Sequence, residues 1–208
     1  MDYQQCSGTF RTVSTIGLGS KSPRRRQLLE NLGLEFELCS GAAEELDGSS
    51  GLSPKELTME NAIRKLHVVK ESCNSQVILC ADTCVYCQGK ILGKPKDFED
   101  ARSMLGFLSG RWHEVFTSFV VFDKSQQAQM EKTVTSRVFL DAIDTRVIDA
   151  YCGTEEPYDK AGAYAVQGAG AFLVRKIEGS YTNVVGLPIT EVVEVLLKVG
   201  AIEPCVKD

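Results

Sequence analysis

The sequence predicts an α/β fold, and three observations carry that expectation. Short β-rich runs alternate with helical stretches along the whole chain. The strongly apolar run Val77-Ile78-Leu79-Cys80-Ala81 has the length and composition of a buried strand. Ser22-Pro23 and Ser53-Pro54-Lys55-Glu56 both carry helix-start chemistry, the second with the spacing of a capping box. The 208 residues fit a single domain, with no internal repeat and no low-complexity segment, and residues 1–12 read as a flexible N-terminal extension.

Residues 13–18 read as the first strand. Ser22 suits the N-cap of the helix that follows, Leu28, Leu29 and Leu32 give it a buried stripe, and Gly33 ends it. Residues 34–39 read as a second strand and residues 42–52 as an acidic loop. The helix from Ser53 runs through Lys65 towards Glu71. The apolar strand, residues 77–81, is expected to end at Asp82, with a hairpin of residues 84–86 and 90–92 beyond it. Asp97 caps a helix over residues 98–108, stopped by Gly110. Residues 114–122 and 133–139 read as a long antiparallel pair, residues 145–151 as a helix, and residues 162–170 as a glycine-rich loop. A strand over residues 171–176 and a helix over residues 190–199 close the chain.

Hydrophobic residues make up 43% and charged residues 25%, with a net charge of −5. That balance suits a globular core and opposes a protein built to coat nucleic acid, which carries a basic face. No apolar run approaches the roughly 20 residues that span a bilayer. The first residues lack the apolar segment of a secretory signal, so the chain reads as cytoplasmic, with no membrane partner. Of the eight cysteines, Cys80, Cys84 and Cys87 lie close together. The chain offers them no second pair in zinc spacing, so the cysteines read as free thiols packed as small apolar side chains.

Four segments carry candidate chemistry. Ser20-Lys21-Ser22-Pro23-Arg24-Arg25 joins a strand to a helix start. Unpaired N–H groups and the helix dipole make such a start a phosphate site, and a guanidinium grips two phosphate oxygens at once. On residue chemistry alone, a solvated basic face competes evenly with that reading. Asp82 follows the apolar strand, where it could activate a water, hold a divalent cation, or simply cap a turn. Lys94 in Gly93-Lys94-Pro95 could meet a phosphate. Small residues around Lys160 and Gln167 could let backbone approach a ligand.

Taken in order, residues 20–29, 80–83, 93–96, 108–110 with His113, 159–164, 167–168 and 183–188 resemble the Maf family of nucleotide pyrophosphatases. The resemblance covers the chain from about Val13 to Leu197. It implies a bent mixed sheet flanked by helices around a central cleft, similar in architecture to inosine triphosphate pyrophosphatases. It also implies cleavage between the α- and β-phosphates of a nucleoside triphosphate, a divalent cation (Mg²⁺ or Mn²⁺), and a homodimer.

Carried over residue by residue, the resemblance makes Asp82 the proton acceptor, although Cys80 stands where the family has glycine. Ser20, Arg25 and Lys94 match its phosphate-site residues, and Lys65 matches a lysine on the helix before the catalytic strand, with atypical flanks. Glu45 matches a loop glutamate, in a pair that here reads Glu44-Glu45, and with Asp82 it would serve the cation. Arg24, Thr83 and Gln167 match the branch acting on dTTP and UTP, whereas the 7-methyl-GTP branch has Trp, Gln and Glu there. Thr83 and Gln167 would then read the base. Two other readings compete: a nucleotide-binding regulator of cell division with little hydrolysis, and a nucleic-acid-binding protein. Retention of Asp82, Lys94 and Arg25 together opposes the first, and the acidic charge opposes the second.

Overall fold

A computed structural model describes residues 8–206. Its strands are β1 (Phe10–Thr12), β2 (Ile16–Leu18), β3 (Glu37–Leu38), β4 (Val77–Cys87), β5 (Lys90–Leu92), β6 (Trp112–Asp123), β7 (Ala128–Leu140), β8 (Val174–Glu178) and β9 (Ile202–Pro204). Its α-helices are α1 (Pro23–Glu30), α2 (Pro54–Val69), α3 (Phe98–Leu108), α4 (Thr145–Cys152), α5 (Tyr181–Val185) and α6 (Ile189–Lys198).

Seven strands form one mixed sheet in the order β3-β2-β4-β6-β7-β8, with β5 added against β4. β2 runs parallel to β3 and β4, and the other pairings are antiparallel. The expected mixed α/β sheet with flanking helices is therefore present. β1 and β9 form a separate antiparallel ribbon.

Alternation along β4 explains how the sheet is covered. Val77, Leu79 and Ala81 join a core with Leu28 and Leu29 of α1 and Val192 and Leu196 of α6. Ile78 and Cys80 point the other way, onto Ala62, Leu66 and Val69 of α2. A third cluster packs Val85, Val115 and Val138 against Leu105 and Leu108 of α3 and Ile148 of α4. Side chains two apart share a face of a strand, so Asp82 is turned towards α2 and Thr83 away from it.

The capping box is formed: Ser53 Oγ accepts from the Glu56 N–H, and Glu56 accepts from the Ser53 N–H. Asp97 caps α3, accepting from the Asp100 N–H. Ser22 occupies the N-cap of α1 but makes no side-chain capping bond; its own N–H donates to Ser20 Oγ.

Several elements differ from the sequence reading. β4 does not end at Asp82 but runs through it to Cys87, because β6 pairs with it continuously from Val77 to Tyr86. The first two strands are shorter than expected, β2 starting at Ile16 and β3 covering only Glu37–Leu38. Residues 169–173 form a 3-10 turn, and β8 follows at Val174. α5, β1 and β9 have no counterpart in the sequence reading. Of the segment expected as an N-terminal extension, residues 1–7 lie outside the described residues, while Phe10–Thr12 pairs with Ile202–Pro204. The free-thiol expectation is corrected at Cys39 and Cys73, which are joined by a disulfide across 34 positions. Cys80, Cys84, Cys87 and Cys152 are buried free thiols. Among the described residues, no helix is long and apolar enough to cross a membrane.

Candidate active site

A cleft of about 750 Å³ opens where α1 starts, α2 passes over β4, and the loop around Gly41–Gly48 faces the loop around Asp159–Gln167. Ser20, Arg24, Arg25, Glu45, Lys65, Asp82, Thr83, Lys94 and Gln167 all line it, so the fold gathers every site residue the sequence singled out.

Asp82 forms the floor and is only 8% exposed. Its Oδ1 accepts from Lys65 Nζ at 2.6 Å, and its Oδ2 accepts from Asn61 Nδ2 at 3.2 Å. Asn61 and Lys65 are one helical turn apart, so one face of α2 grips both carboxylate oxygens. Lys65 Nζ also lies 3.0 Å from Glu45 Oε1 and donates to the Ala81 carbonyl. Burial works to raise the Glu45 pKa, but the charge and hydrogen bond of Lys65, aided by Lys94 and Arg25, hold it below the usual carboxylate range. Of the pair Glu44-Glu45, it is Glu45 that lines the cleft and meets Lys65.

Arg25 is buried, which lowers its pKa against the opposing pull of Asp82. Its Nε donates to the Gly186 carbonyl at 2.7 Å, its Nη1 to Ala81 O at 2.8 Å and to Ser20 Oγ at 3.1 Å, and its Nη2 to Thr83 Oγ1 at 3.0 Å. A guanidinium has five N–H donors, and four are directed at protein here. Arg25 therefore ties the start of α1, the centre of β4 and the turn after α5 together, rather than presenting an open fork to the cleft.

The hydroxyl of Thr83 is oriented by the same network. Thr117 Oγ1 donates to the Asn183 carbonyl at 3.0 Å, so its single hydrogen is committed. The 2.9 Å bond between Thr83 Oγ1 and Thr117 Oγ1 must then carry the Thr83 hydrogen. Thr83 accepts from Arg25 and donates to Thr117, which leaves it acceptor capacity only towards a ligand.

Arg24 Nη1 pairs with Asp159 Oδ2 at 2.7 Å, which joins α1 to the loop on the opposite wall. Lys94 and Gln167 are exposed along the rim. Beneath that wall, His113 Nε2 and the Tyr164 hydroxyl are 2.8 Å apart in the core, and burial pushes the His113 pKa down to about 4. Sequence reasoning missed Asn61 and Thr117 as parts of the site, and it singled out the segment 159–164 without the pairing of Asp159 to Arg24. Asn61 carried one signal, which it shares with Thr58: both are polar residues on an α2 stripe whose other members are Leu57, Ala62, Leu66 and Val69.

The donors suit a hard divalent cation: Glu45 and Asp82 offer carboxylate oxygens to the same cleft. Each oxygen of Asp82 accepts one hydrogen bond and keeps a further lone pair.

Carboxylates held by an ammonium, opposite a helix start and surrounded by arginine and lysine, define a cleft suited to a polyanion. The chain belongs to the Maf-like protein family, whose model matches residues 15–199. It is 46% identical over 194 residues to a dTTP/UTP pyrophosphatase of Geotalea uraniireducens, covering 93% of this chain and 100% of the relative. Proteins of the same name from Dictyoglomus thermophilum (41% over 185 residues; 89% and 96% covered) and Syntrophus aciditrophicus (42% over 185 residues; 89% and 90%) are similar as well.

Proposed function

We propose that the protein hydrolyses dTTP and UTP to the nucleoside monophosphate and pyrophosphate. The observation that carries this reading is Asp82: a nearly buried carboxylate, oriented at both oxygens, on the floor of a basic cleft. A regulator that only binds nucleotide has no use for such a group. The relatives' activity towards dTTP and UTP supports the same substrates here.

The triphosphate lies along the start of α1, where free N–H groups and the helix dipole favour anions. Arg24 and Lys94 meet its oxygens from the two walls. Asp82 takes a proton from a water as the water oxygen attacks the α-phosphorus. The bond from that phosphorus to the α,β-bridging oxygen breaks, and pyrophosphate leaves with the bonding electrons. Lys65 steadies Asp82 and Glu45 throughout. When bound, Mg²⁺ or Mn²⁺ supplies neutralisation of the polyphosphate charge, and Glu45 and Asp82 are the residues to hold it. Most of the rate gain in this scheme is positioning and electrostatics.

Gln167 serves the base, since its amide has both a donor and acceptors for a pyrimidine edge. Thr83 contributes by fixing Arg25 and by offering acceptor capacity. The reading also carries a cytoplasmic location and a homodimer. Product analysis tests it: dTTP should yield dTMP and pyrophosphate in equal amounts. Release of single phosphates instead would replace this reaction with γ-phosphate hydrolysis.

A further inference from the structure

Asn61 has no role in the scheme above, yet every hydrogen-bonding atom of its side chain is engaged. It is 3% exposed, on the buried stripe of α2. Its Oδ1 accepts from the Leu46 N–H at 2.8 Å, and its Nδ2 donates to the Leu46 carbonyl at 2.9 Å. The second Nδ2 hydrogen goes to Asp82 Oδ2 at 3.2 Å. The amide can take only this orientation. Flipped, it would set Nδ2 against an N–H and Oδ1 against a carbonyl and a carboxylate.

An unpaired amide on a buried helix face is costly, so the three contacts stand or fall together. Leu46 adjoins Glu45, in a stretch with no regular secondary structure before the turn at Gly48–Ser50. Glu45 is exposed and reaches the site through its contact with Lys65. The backbone beside it is held by Asn61, one turn before Lys65.

We infer that Asn61 is a positioning residue: its amide clasps the Glu45 loop to Asp82, so that the two carboxylates meet Lys65 at a fixed separation. The kinetic arm of the test rests on the proposed hydrolysis, and the exchange arm does not.

Two substitutions separate the contacts. Asn61→Ala removes all three. Asn61→Asp keeps an acceptor for the Leu46 N–H but loses both donors and sets a carboxylate against Asp82. Hydrogen exchange is read first, without nucleotide. Amides of residues 42–48 should exchange faster in both variants while those of β4 and β6 keep wild-type protection. Unchanged exchange in residues 42–48 overturns the clasp, whatever the protein hydrolyses.

With dTTP and Mg²⁺, kcat should fall about 10- to 100-fold, the range seen when groups that orient metal-site residues are removed, with KM near wild type. In a Glu45→Gln background the loss caused by Asn61→Ala should shrink, because the loop it holds no longer carries a carboxylate. An equal loss in both backgrounds overturns the inference in favour of a general packing role. Asn61→Asp, close in size, keeps the test decisive if the alanine variant does not fold. Absent turnover in wild type would sink the proposed reaction and leave the exchange result to judge the clasp.

Discussion

Lys65 Nζ lies 2.6 Å from Asp82 Oδ1 and 3.0 Å from Glu45 Oε1, so one ammonium on α2 binds carboxylates from a strand and from a loop. The Lys65 and Asp82 side chains are 14% and 11% exposed, so water replaces little of that attraction when one partner is removed. The ion pair is both a structural contact and the electrostatic frame of the site.

Lys65→Met should therefore do two things. Removing one partner of a buried pair costs about 3 kcal/mol of unfolding free energy. Turnover should fall by about 10²–10³-fold, comparable with losing one electrostatic donor at a reacting centre. Urea titration and pyrophosphate release read the two effects. A variant as stable as wild type would show that the pair is solvated and of little consequence.

The Arg25 network predicts that lysine is no substitute. Three donors on one flexible nitrogen cannot reach Gly186, Ala81, Ser20 and Thr83 together. Arg25→Lys should lose about 2–4 kcal/mol of stability, and Thr83→Val about 1–3 kcal/mol by leaving the buried Arg25 Nη2 donor without its acceptor. Because the two share a bond, the double variant should lose less than the sum. Chemical denaturation of the four proteins checks this, and strict additivity would contradict it.

His113 predicts a pH dependence of stability. Burial holds its folded pKa at about 4, below the unfolded value of about 6.5. The unfolded chain therefore binds a proton between these values that the folded chain refuses. Stability is full above about pH 6.5, and about 3 kcal/mol is lost as the pH falls towards 4. His113→Gln removes the titrating group, so its stability curve should be flatter over that window. Parallel curves would place the acid sensitivity elsewhere.

The Cys39–Cys73 disulfide closes a segment that contains the Glu45 loop and α2. For a loop of 34 positions, chain entropy gives about 3–4 kcal/mol. Cys39→Ser and Cys73→Ser should each lose that amount under oxidising conditions, and reductant should lower wild type by more than it lowers either variant. Wild-type stability that ignores reductant would exclude the bond in solution.

Much of this arrangement was legible in the sequence, for identifiable reasons. Local chemistry placed the Ser53 capping box, the Asp97 cap and the hairpin around Gln88-Gly89. The end of β4 was misread because Asp82-Thr83 looks like a polar stop after an apolar run. Both side chains find partners inside the fold, Lys65 and Asn61 on one face and Arg25 and Thr117 on the other, so the strand continues. Ordered motifs brought Arg25 to the site but not its environment, since its acceptors lie as far as 161 positions away. The Arg24–Asp159 and His113–Tyr164 contacts left no local trace, being separated by 135 and 51 positions. Nor does one cysteine pair among eight announce itself by spacing.

The most direct test of the central claim compares wild type with Asp82→Asn for pyrophosphate release from dTTP, UTP and 7-methyl-GTP in Mg²⁺ or Mn²⁺, alongside nucleotide binding. Wild type should release pyrophosphate from dTTP and UTP and little from 7-methyl-GTP. Asp82→Asn should lose about 10²–10⁴-fold of that turnover, the usual contribution of a positioned general base, with binding retained. Full turnover by Asp82→Asn would contradict the role given to Asp82, and nucleotide binding without hydrolysis by wild type would contradict the proposed reaction itself.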